Sequence, residues 1–373
     1  MPFINLDDPD ALRSRDPQGM LGFVDRLADV ARPAFERGAA FRSPIARPAR
    51  VLVAGMGGSA ISGDLARTLF ALSWDVPVAV CRQPALPRWV SRDDLVVFLS
   101  YSGETAETLA CFEQARAAKV PMAAVTVGGT LGTLAAETGL PVLPLTPGWQ
   151  PRAALGELYF TLLGMLSAIG APVEPTDAIA GLAIHRDTYG SSAPGAPGGP
   201  NAAKRIAMTF AEWLEKAGGT AVLPPAVFGV SPSTEAVALR WKCQFNENSK
   251  ATVLHGCFPE LTHNEIVNLA SAGGNLGPIV VLRDPSDPPL LRLQIDQVIE
   301  MLAGTVYDLQ SGGDDLLSRQ MALVQLGDYV SVYLALLRGI DPLPVAPIVE
   351  LKRRMAGQQE ALRPTRARTG SPT

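Results

Sequence analysis

The chain of 373 residues is long enough for two domains of ordinary size, and its 47% hydrophobic and 18% charged residues are typical of a globular protein and exclude a disordered one. Its 32 basic and 36 acidic residues leave a formal net charge of -4, which does not provide a broad cationic surface for a nucleic-acid backbone. We therefore expect no nucleic-acid partner.

The amino terminus and the cysteines favour a cytoplasmic protein without disulfides or a metal. Residues 1–16 lack the basic segment and apolar run of a secretory signal, and no continuous stretch reaches the roughly 18 apolar residues of a membrane span. The cysteines form no CxxC pair. The one metal-like group, Cys243, His255, Cys257 and His263, has spacings that match none of the usual zinc patterns. We expect no membrane segment and no metal.

Taken in chain order, the first half predicts a parallel sheet. Residues 17–36 place apolar side chains on one face at helical spacing, which predicts an amphipathic helix. Short apolar runs then alternate with helical segments. These runs span residues 51–56, 76–80, 95–100, 121–127 and 140–145. Because they are apolar on both faces, they indicate parallel strands covered by helices on each side, and a further helix is expected over 153–169.

A change in composition at 188–203 predicts a linker between two domains. This segment is rich in glycine, proline and small residues, and it separates an N-terminal domain over 1–187 from a C-terminal domain over 204–362. The second domain repeats the α/β pattern. Its predicted strands are 220–223, 226–230 and 278–282, and its predicted helices lie near 233–245, 292–303 and 314–338. We expect the tail over 363–373 to be flexible.

The segment VLVAGMGGSA runs from a predicted strand through Gly55, Gly57 and Gly58 into a helix that starts near Ser59. The first amides of such a helix point outward with the positive end of its dipole, which favours an anionic or hydroxylated ligand. A sharp strand-to-helix turn without a ligand would need the same glycines. The pattern is not GxGxxG, because Ala60 occupies the last position, and no acidic residue ends the next predicted strand, so a dinucleotide site is disfavoured.

The segment LVVFLSYSGETAET places three hydroxyl groups at the next strand-to-helix turn. Ser100, Ser102 and Thr105 can surround a phosphate together with free helix amides, and Gly103 gives the backbone freedom to turn. The alternative is that Ser102 caps the helix, with a neighbouring residue closing the first turn. One cap needs one hydroxyl rather than three, so the pattern favours phosphate binding.

With these two segments in view, the sequence resembles a known family. GMGGSAISGD and SYSGETAET are similar to the sugar isomerase (SIS) domain, and the whole chain resembles the bifunctional phosphoglucose/phosphomannose isomerase family. Further matching segments are PRAALGELYF, ALRWKCQFNENSK, THNEI and DPLPVAPIVELK, in the family's order. The resemblance implies two tandem SIS domains, each a three-layer α/β/α sandwich around a parallel sheet, paired in a homodimer.

The resemblance also implies roles for individual residues. Glu247 matches the family's catalytic base, and Arg152 matches its active-site arginine, which would stabilise an enediolate. The glycine turn implies sugar contacts for Gly58 and Ser59. Without the resemblance, a glutamate beside two asparagines is more simply a solvated charge at a helix end, and an arginine after a proline is a loop charge.

Two further residues carry implied roles in opening the sugar ring. His263 matches the ring-opening histidine, which reaches the site from the neighbouring subunit in related dimers, and Lys352 matches a carboxy-terminal lysine beside the ring oxygen. A structural histidine and a solvated basic run, respectively, are the alternatives. The sequence departs from the family pattern at Ala60, at the residue before His263 and at Glu104, whose carboxylate would repel a phosphate unless it points away.

The chain is thus expected to be an aldose–ketose isomerase that interconverts glucose 6-phosphate and mannose 6-phosphate with fructose 6-phosphate. Proton transfer between C2 and C1 needs a base, an electrostatic partner for the enediolate and an anchored phosphate, but no cofactor. The main alternative is a regulator that binds a sugar phosphate without turning it over. An isomerase of amino sugars or seven-carbon sugars and a dinucleotide-dependent oxidoreductase fit the motifs less well.

Overall fold

A computed structural model describes residues 3–193, 201–216, 223–310 and 312–362, without the side chains of 356–362. The first half contains a leading set of helices and a parallel sheet. Its helices are Pro9–Arg15 (α1), Met20–Asp25 (α2), Leu27–Ala39 (α3), Gly57–Phe70 (α4), Ala106–Ala118 (α5), Gly129–Glu137 (α6), Leu155–Ala168 (α7) and Thr176–Tyr189 (α8). Its strands are Val51–Ala54 (β1), Val78–Cys81 (β2), Leu95–Leu99 (β3), Met122–Thr126 (β4) and Val142–Pro144 (β5), in the order β2-β1-β3-β4-β5.

The second half repeats this architecture within the described residues. Its helices are Ala202–Lys216 (α9), Glu235–Gln244 (α10), Glu265–Ser271 (α11), Pro289–Met301 (α12), Leu316–Leu337 (α13) and Ala346–Leu362 (α14). Its strands are Ala226–Val230 (β6), Leu254–Phe258 (β7), Ile279–Arg283 (β8) and Val306–Gln310 (β9), all parallel, in the order β7-β6-β8-β9. The arrangement β2-β1-β3 in the first sheet therefore matches β7-β6-β8 in the second.

Apolar burial explains why the central strands were predictable. Every residue of β1, β3 and β4 is buried, since helices cover both faces of the first sheet. Helices α3 and α7 approach closely because Gly38 and Gly164 face each other's backbone. A Cβ at Gly38 would lie 2.1 Å from the carbonyl oxygen of Thr161, and one at Gly164 would lie 2.2 Å from that of Phe35. This packing holds α7 against α3.

Several boundaries differ from the sequence predictions. The single helix expected over 17–36 is two helices that meet at Arg26. The expected strand at 220–223 falls on residues outside the described ranges, except for Leu223, which lies outside any strand. The expected linker at 188–203 begins inside α8 and ends inside α9, and residues 194–200 of it are not described, so the domain boundary stays a prediction. The tail 363–373 also lies outside the described residues.

Helix α13 forms the centre of the second half. Its 22 residues are apolar enough to cross a bilayer by length and composition, yet its most apolar stretch is fully buried inside the fold, as in the core helix of a globular protein. Polar residues such as Arg319 and Asp328 interrupt it, which is why no continuous apolar run of that length is visible in the sequence.

Candidate active site

The carboxyl ends of β1 and β3 bring the two predicted ligand turns together. These strands are parallel neighbours, and the chain leaves them in opposite directions across the sheet, which is the position where α/β folds bind ligands. The glycine turn (residues 55–58) packs against the end of β3, directly before the hydroxyl turn (residues 100–105), because a Cβ at Gly55 would lie 2.6 Å from the carbonyl oxygen of Leu99. Only glycine permits this approach, so the glycine turn and the hydroxyl turn form one surface.

The serine and threonine side chains of the hydroxyl turn at 100–105 interact within the turn. Ser100 is buried, its hydroxyl accepts a hydrogen bond from the Gly103 amide at 3.1 Å, and it lies 3.0 Å from the Thr105 hydroxyl. Ser102 is exposed and accepts from the Glu104 amide at 3.2 Å. Thr105 is the N-cap of α5 but makes no side-chain capping bond, so helix capping does not use these hydroxyls in the described structure. The arrangement leaves hydroxyls and helix amides for an anionic ligand.

The carboxylate of Glu104 points away from this turn. It accepts hydrogen bonds from the amide and the hydroxyl of Thr130 at 2.7 and 2.8 Å, at the beginning of α6. The partial positive charge at this helix terminus favours a carboxylate there. The departure from the family pattern at position 104 therefore does not place a negative charge inside the turn.

The glycine turn contacts the segment that carries Arg152. A Cβ at Gly58 would lie 2.9 Å from the carbonyl oxygen of Pro151 and 3.6 Å from the Cα atom of Arg152. Ser59, on the first turn of α4, is buried. Gly58 thus lies directly against the arginine segment, and Ser59 is its neighbour on the first turn of α4.

Arg152 is buried, and its guanidinium is held by defined partners. Its Nε donates to Asn248 Oδ1 at 2.6 Å, and its Nη2 donates to the carbonyl oxygens of Pro342 and Leu343 at 2.8 and 2.9 Å. Its Nη1 lies 4.0 Å from Glu247 Oε2. Burial lowers the pKa of Arg152, and the Glu247 carboxylate opposes this change. The guanidinium remains a cation at neutral pH because its ordinary pKa is so high.

Glu247 lies in a π-helical turn, Phe245–Ser249, that continues α10. Such wide turns occur frequently at functional sites. Its side chain is 29% exposed, and burial raises its pKa, while the nearby charges of Arg152, Arg240 and Lys250 act in the opposite direction. A partly shielded carboxylate with raised proton affinity has the properties of a general base.

A buried ion pair connects α10 to the backbone of Arg152. Arg240 donates from Nε and Nη2 to the two carboxylate oxygens of Asp328 on α13, at 3.0 and 2.7 Å, and Gln244 donates to the same carboxylate at 3.0 Å. The Arg240 Nη2 also donates to the carbonyl oxygen of Arg152 at 3.1 Å. Asn248 in turn donates to Ser331 on α13 at 2.9 Å. Arg240, Gln244 and Asn248 lie in the segment ALRWKCQFNENSK, but sequence analysis gave them no role, because their contacts are with residues of α13 far along the chain.

The structure does not bring His263 and Lys352 to this site within one chain. His263 ends a short 3-10 turn, Glu260–His263, and Lys352 lies on α14, and both residues are exposed. Neither side chain makes a hydrogen bond or an ion pair with another described residue. Arg152 and Glu247 are therefore adjacent and Gly58 packs against the segment of Arg152, while no hydrogen bond or ion pair between described residues joins the other two candidates to them.

In the second half, the turn after β8 corresponds to the hydroxyl turn, and charged side chains that bond to other residues of the chain occupy it. After β8, the buried carboxylate of Asp284 accepts from Arg319 at 2.6 and 3.1 Å, and Asp287 accepts from Ser233 at 2.6 Å. A phosphate would be repelled by these two carboxylates. The described residues contain no group of three or more His, Cys, Asp or Glu side chains arranged to hold a metal ion, and Cys243, His255, Cys257 and His263 form no such group.

Two family models match the chain. Residues 45–138 match the SIS domain, and residues 202–355 match the bacterial phospho-glucose isomerase C-terminal SIS domain. Among solved structures, a hypothetical protein from Thermus thermophilus superposes with a TM-score of 0.73 at 18% identity and covers 94% of both chains. These matches confirm the predicted α/β fold with two SIS domains.

Curated relatives match most of this chain. The bifunctional phosphoglucose/phosphomannose isomerase of Caldicellulosiruptor bescii is 37% identical over 317 residues, which are 82% of this chain and 89% of the relative. The protein of the same name from Aquifex aeolicus is 31% identical over 310 residues, which are 82% of this chain and 90% of the relative.

Proposed function

The chain belongs to the bifunctional phosphoglucose/phosphomannose isomerase family, and we propose that it interconverts glucose 6-phosphate and mannose 6-phosphate with fructose 6-phosphate. The observation that carries this proposal is the placement of the Glu247 carboxylate 4.0 Å from the buried guanidinium of Arg152, whose backbone packs against Gly58 of the glycine turn. A base and a fixed cation are the two groups that proton transfer between C2 and C1 requires.

In the proposed reaction, Glu247 takes a proton from one of these carbons and returns it to the other. The negative charge that develops on the enediolate oxygen is stabilised by Arg152, whose position is fixed before the substrate arrives. Because Nε and Nη2 already have partners, Nη1 is the part of the guanidinium that faces Glu247. No cofactor takes part in this proton transfer.

The phosphate is proposed to bind in the hydroxyl turn formed by Ser100, Ser102 and Thr105, with Gly58 and Ser59 against the sugar. Helix amides supply hydrogen bonds and a favourable dipole without a lysine or an arginine. The contiguity of this turn, the glycine turn and Arg152 supports binding of the phosphate and the reacting carbons of one hexose on a single surface.

We propose that His263 and Lys352 open the sugar ring in a cytoplasmic homodimer, with His263 contributed by the neighbouring subunit. The exposure of His263 supports this assignment, because a residue that serves a partner's site must be accessible in its own chain. Imidazole can give and take a proton near neutral pH, which suits exchange at the ring oxygen.

The test is isomerisation of fructose 6-phosphate to both aldose phosphates, with a Glu247→Gln variant. Gln keeps the shape of the side chain but cannot accept the proton, so kcat should fall by about 10²- to 10⁴-fold. Glu113→Gln, on α5 with a side chain that is 45% exposed, is the control and should keep the activity. Thermal stabilisation by sugar phosphate without any turnover in the wild-type protein would instead support the non-catalytic regulator, which the family relationship does not favour.

A further inference from the structure

The phenol of Tyr101 joins the hydroxyl turn to the segment that leads to Arg152. Tyr101 lies between Ser100 and Ser102, and its side chain is buried. Its hydroxyl donates to the carbonyl oxygen of Thr146 at 2.9 Å and accepts from the amide of Trp149 at 2.8 Å. Within the described residues, these are the hydrogen bonds that connect the turn at 100–105 to the segment 146–149.

The segment 146–149 ends two residues before Pro151, whose carbonyl oxygen lies against Gly58. A displacement of Trp149 would therefore act on the turn at 151–154, which carries Arg152 and leads into α7. The Tyr101 hydroxyl holds the amide of Trp149, three residues before Arg152, and the next carbonyl, that of Gln150, accepts from the amides of Ala153 and Ala154 at 2.8 and 3.0 Å.

Other contacts keep the segment folded without this phenol. The amide of Thr146 donates to Glu157 at 3.3 Å, and Glu157 is paired with Arg37 at 2.8 Å. The Trp149 ring packs against Phe23 at 5.7 Å between centroids, with the Arg26 guanidinium 4.5 Å from its centre. These contacts keep the segment 146–149 attached, so the phenol is expected to set its exact position and not to hold it in place as a whole.

The hydroxyl turn is likewise held independently of the phenol. The backbone carbonyl of Tyr101 accepts from the Val127 amide at 3.0 Å, and Glu104 holds the beginning of α6. Burial raises the pKa of the Tyr101 phenol, so the hydroxyl keeps the proton that its bond to Thr146 requires. Removing the hydroxyl should leave the proposed phosphate site in place, but the distance between that site and Arg152 should become less well fixed.

We infer that Tyr101 is a positioning residue that sets the distance between the proposed phosphate site and the Arg152 guanidinium. This inference rests on the proposed isomerase function. The bound phosphate fixes one end of the hexose, so the cation must lie at a defined distance from it when the enediolate forms. A misplacement of about 1 Å can cost about a hundredfold in rate.

The experiment compares Tyr101→Phe with Tyr159→Phe. The first change keeps the ring and removes both hydrogen bonds. The second removes the hydroxyl of a fully buried tyrosine on α7, an oxygen that has no hydrogen-bond partner among the described residues. We expect Tyr101→Phe to lower kcat by about tenfold or more while the KM for fructose 6-phosphate changes less than about threefold. Tyr159→Phe should leave both constants unchanged.

A double-mutant cycle tests whether Tyr101 acts through Arg152. Arg152→Lys keeps a positive charge but lacks the planar group that binds Asn248 and the carbonyl oxygens. In this background, Tyr101→Phe should lower kcat by a further factor of less than about three. An equal effect of Tyr101→Phe in both backgrounds would overturn the inference, as would an unchanged kcat. A Tyr101→Phe protein that did not fold would overturn it too, by making the phenol a requirement of folding. Absence of isomerase activity in the wild-type protein would instead defeat the proposed function.

Discussion

Burial and the nearby positive charges act in opposite directions on the pKa of Glu247. Burial raises its pKa, while Arg152, Arg240 and Lys250 favour the ionised form. Burial has the larger effect, so the carboxylate is expected to titrate above the ordinary glutamate value of about 4.3. A base must be ionised to act, so activity should be lost as the pH falls through this raised pKa.

The pH dependence of kcat/KM provides a test of this balance. Lys250→Gln removes a cation that favours the ionised carboxylate, so the pKa of Glu247 should rise and the acid limb should move to higher pH. Lys250 is exposed, so solvent and salt screen its charge, and we expect a shift of a few tenths of a pH unit that shrinks as salt is added.

Lys242→Gln is the matched control for this measurement. Lys242 lies on α10, close to Glu247 in sequence, but it is not among the charges that shift the pKa of Glu247. Its removal should leave the acid limb in place. An acid limb that moved to lower pH in Lys250→Gln, or moved equally in both variants, would contradict the electrostatic account.

Individual site residues were predictable only where a motif contained them. The hydroxyls at 100–105 and the glycines at 55–58 are visible because they interrupt an apolar pattern. Glu247 and Arg152 are single residues that no chemical pattern of their own singles out, and they were recognised through the family resemblance. Asp328 and Tyr101 act through contacts between residues far apart in sequence, which no local pattern encodes.

At the level of elements, the contact between the hydroxyl turn and α6 depends on Glu104. Its carboxylate satisfies the amide and the hydroxyl of Thr130. Gly103 also packs so closely on Gly128 that a Cβ there would lie 1.9 Å from the Gly128 carbonyl oxygen. The beginning of α6 therefore supports the turn from the side away from Arg152.

Glu104→Ala should weaken substrate binding more than turnover. Loss of both hydrogen bonds would loosen the turn, so the KM for fructose 6-phosphate should rise by about three- to tenfold, which corresponds to a hydrogen-bond contribution of about 1 kcal/mol. Glu104→Gln keeps an acceptor oxygen for Thr130 and serves as the control, with a KM close to that of the wild-type protein. A lower KM in Glu104→Ala would mean that repulsion between carboxylate and phosphate outweighs the support of the turn.

Burial accounts for most of the predicted and missed strands, although β2 and β5 were predicted from their apolar runs while several of their positions are only partly buried or exposed. The apolar runs over β1, β3, β4, β6 and β8 are covered on both faces, so composition alone indicates them. In β7 and β9 several positions are only partly buried, and polar residues interrupt the apolar pattern. The π-helical turn that carries Glu247 was also invisible, because it continues α10 without a change in composition.

At the scale of the whole molecule, the two halves have the same order of strands, but each contributes different residues to the proposed site. In the proposed site, the first half would supply the hydroxyl turn and Arg152, and the second would supply Glu247. The turn of the second half that follows β8 is closed by Asp284 and Arg319. Two related domains thus contribute to one proposed site, and the Arg240–Asp328 cluster of the second half holds the backbone of Arg152.

The proposed dimer completes this site with a histidine that one chain does not bring to it. His263→Ala and Glu247→Gln should each be nearly inactive as homodimers, because every site lacks either the histidine or the base. In a mixed dimer, the Glu247 of the first variant would meet the His263 of the second, so one of the two sites would be intact. Denaturing and refolding equal amounts together should therefore restore about a quarter of the wild-type specific activity, since about half of randomly paired dimers are mixed.

The mixing experiment distinguishes a shared site from one built within a single chain. If His263 served the Glu247 of its own chain, every site in a mixed dimer would carry one of the two substitutions and no activity would return. The control mixes Glu247→Gln with Arg152→Lys, two residues that lie 4.0 Å apart in one chain and cannot complement each other across subunits. Recovery in the first mixture without recovery in the control would assign His263 to the partner's site, because exchange of chains is the one process that brings the two intact residues together.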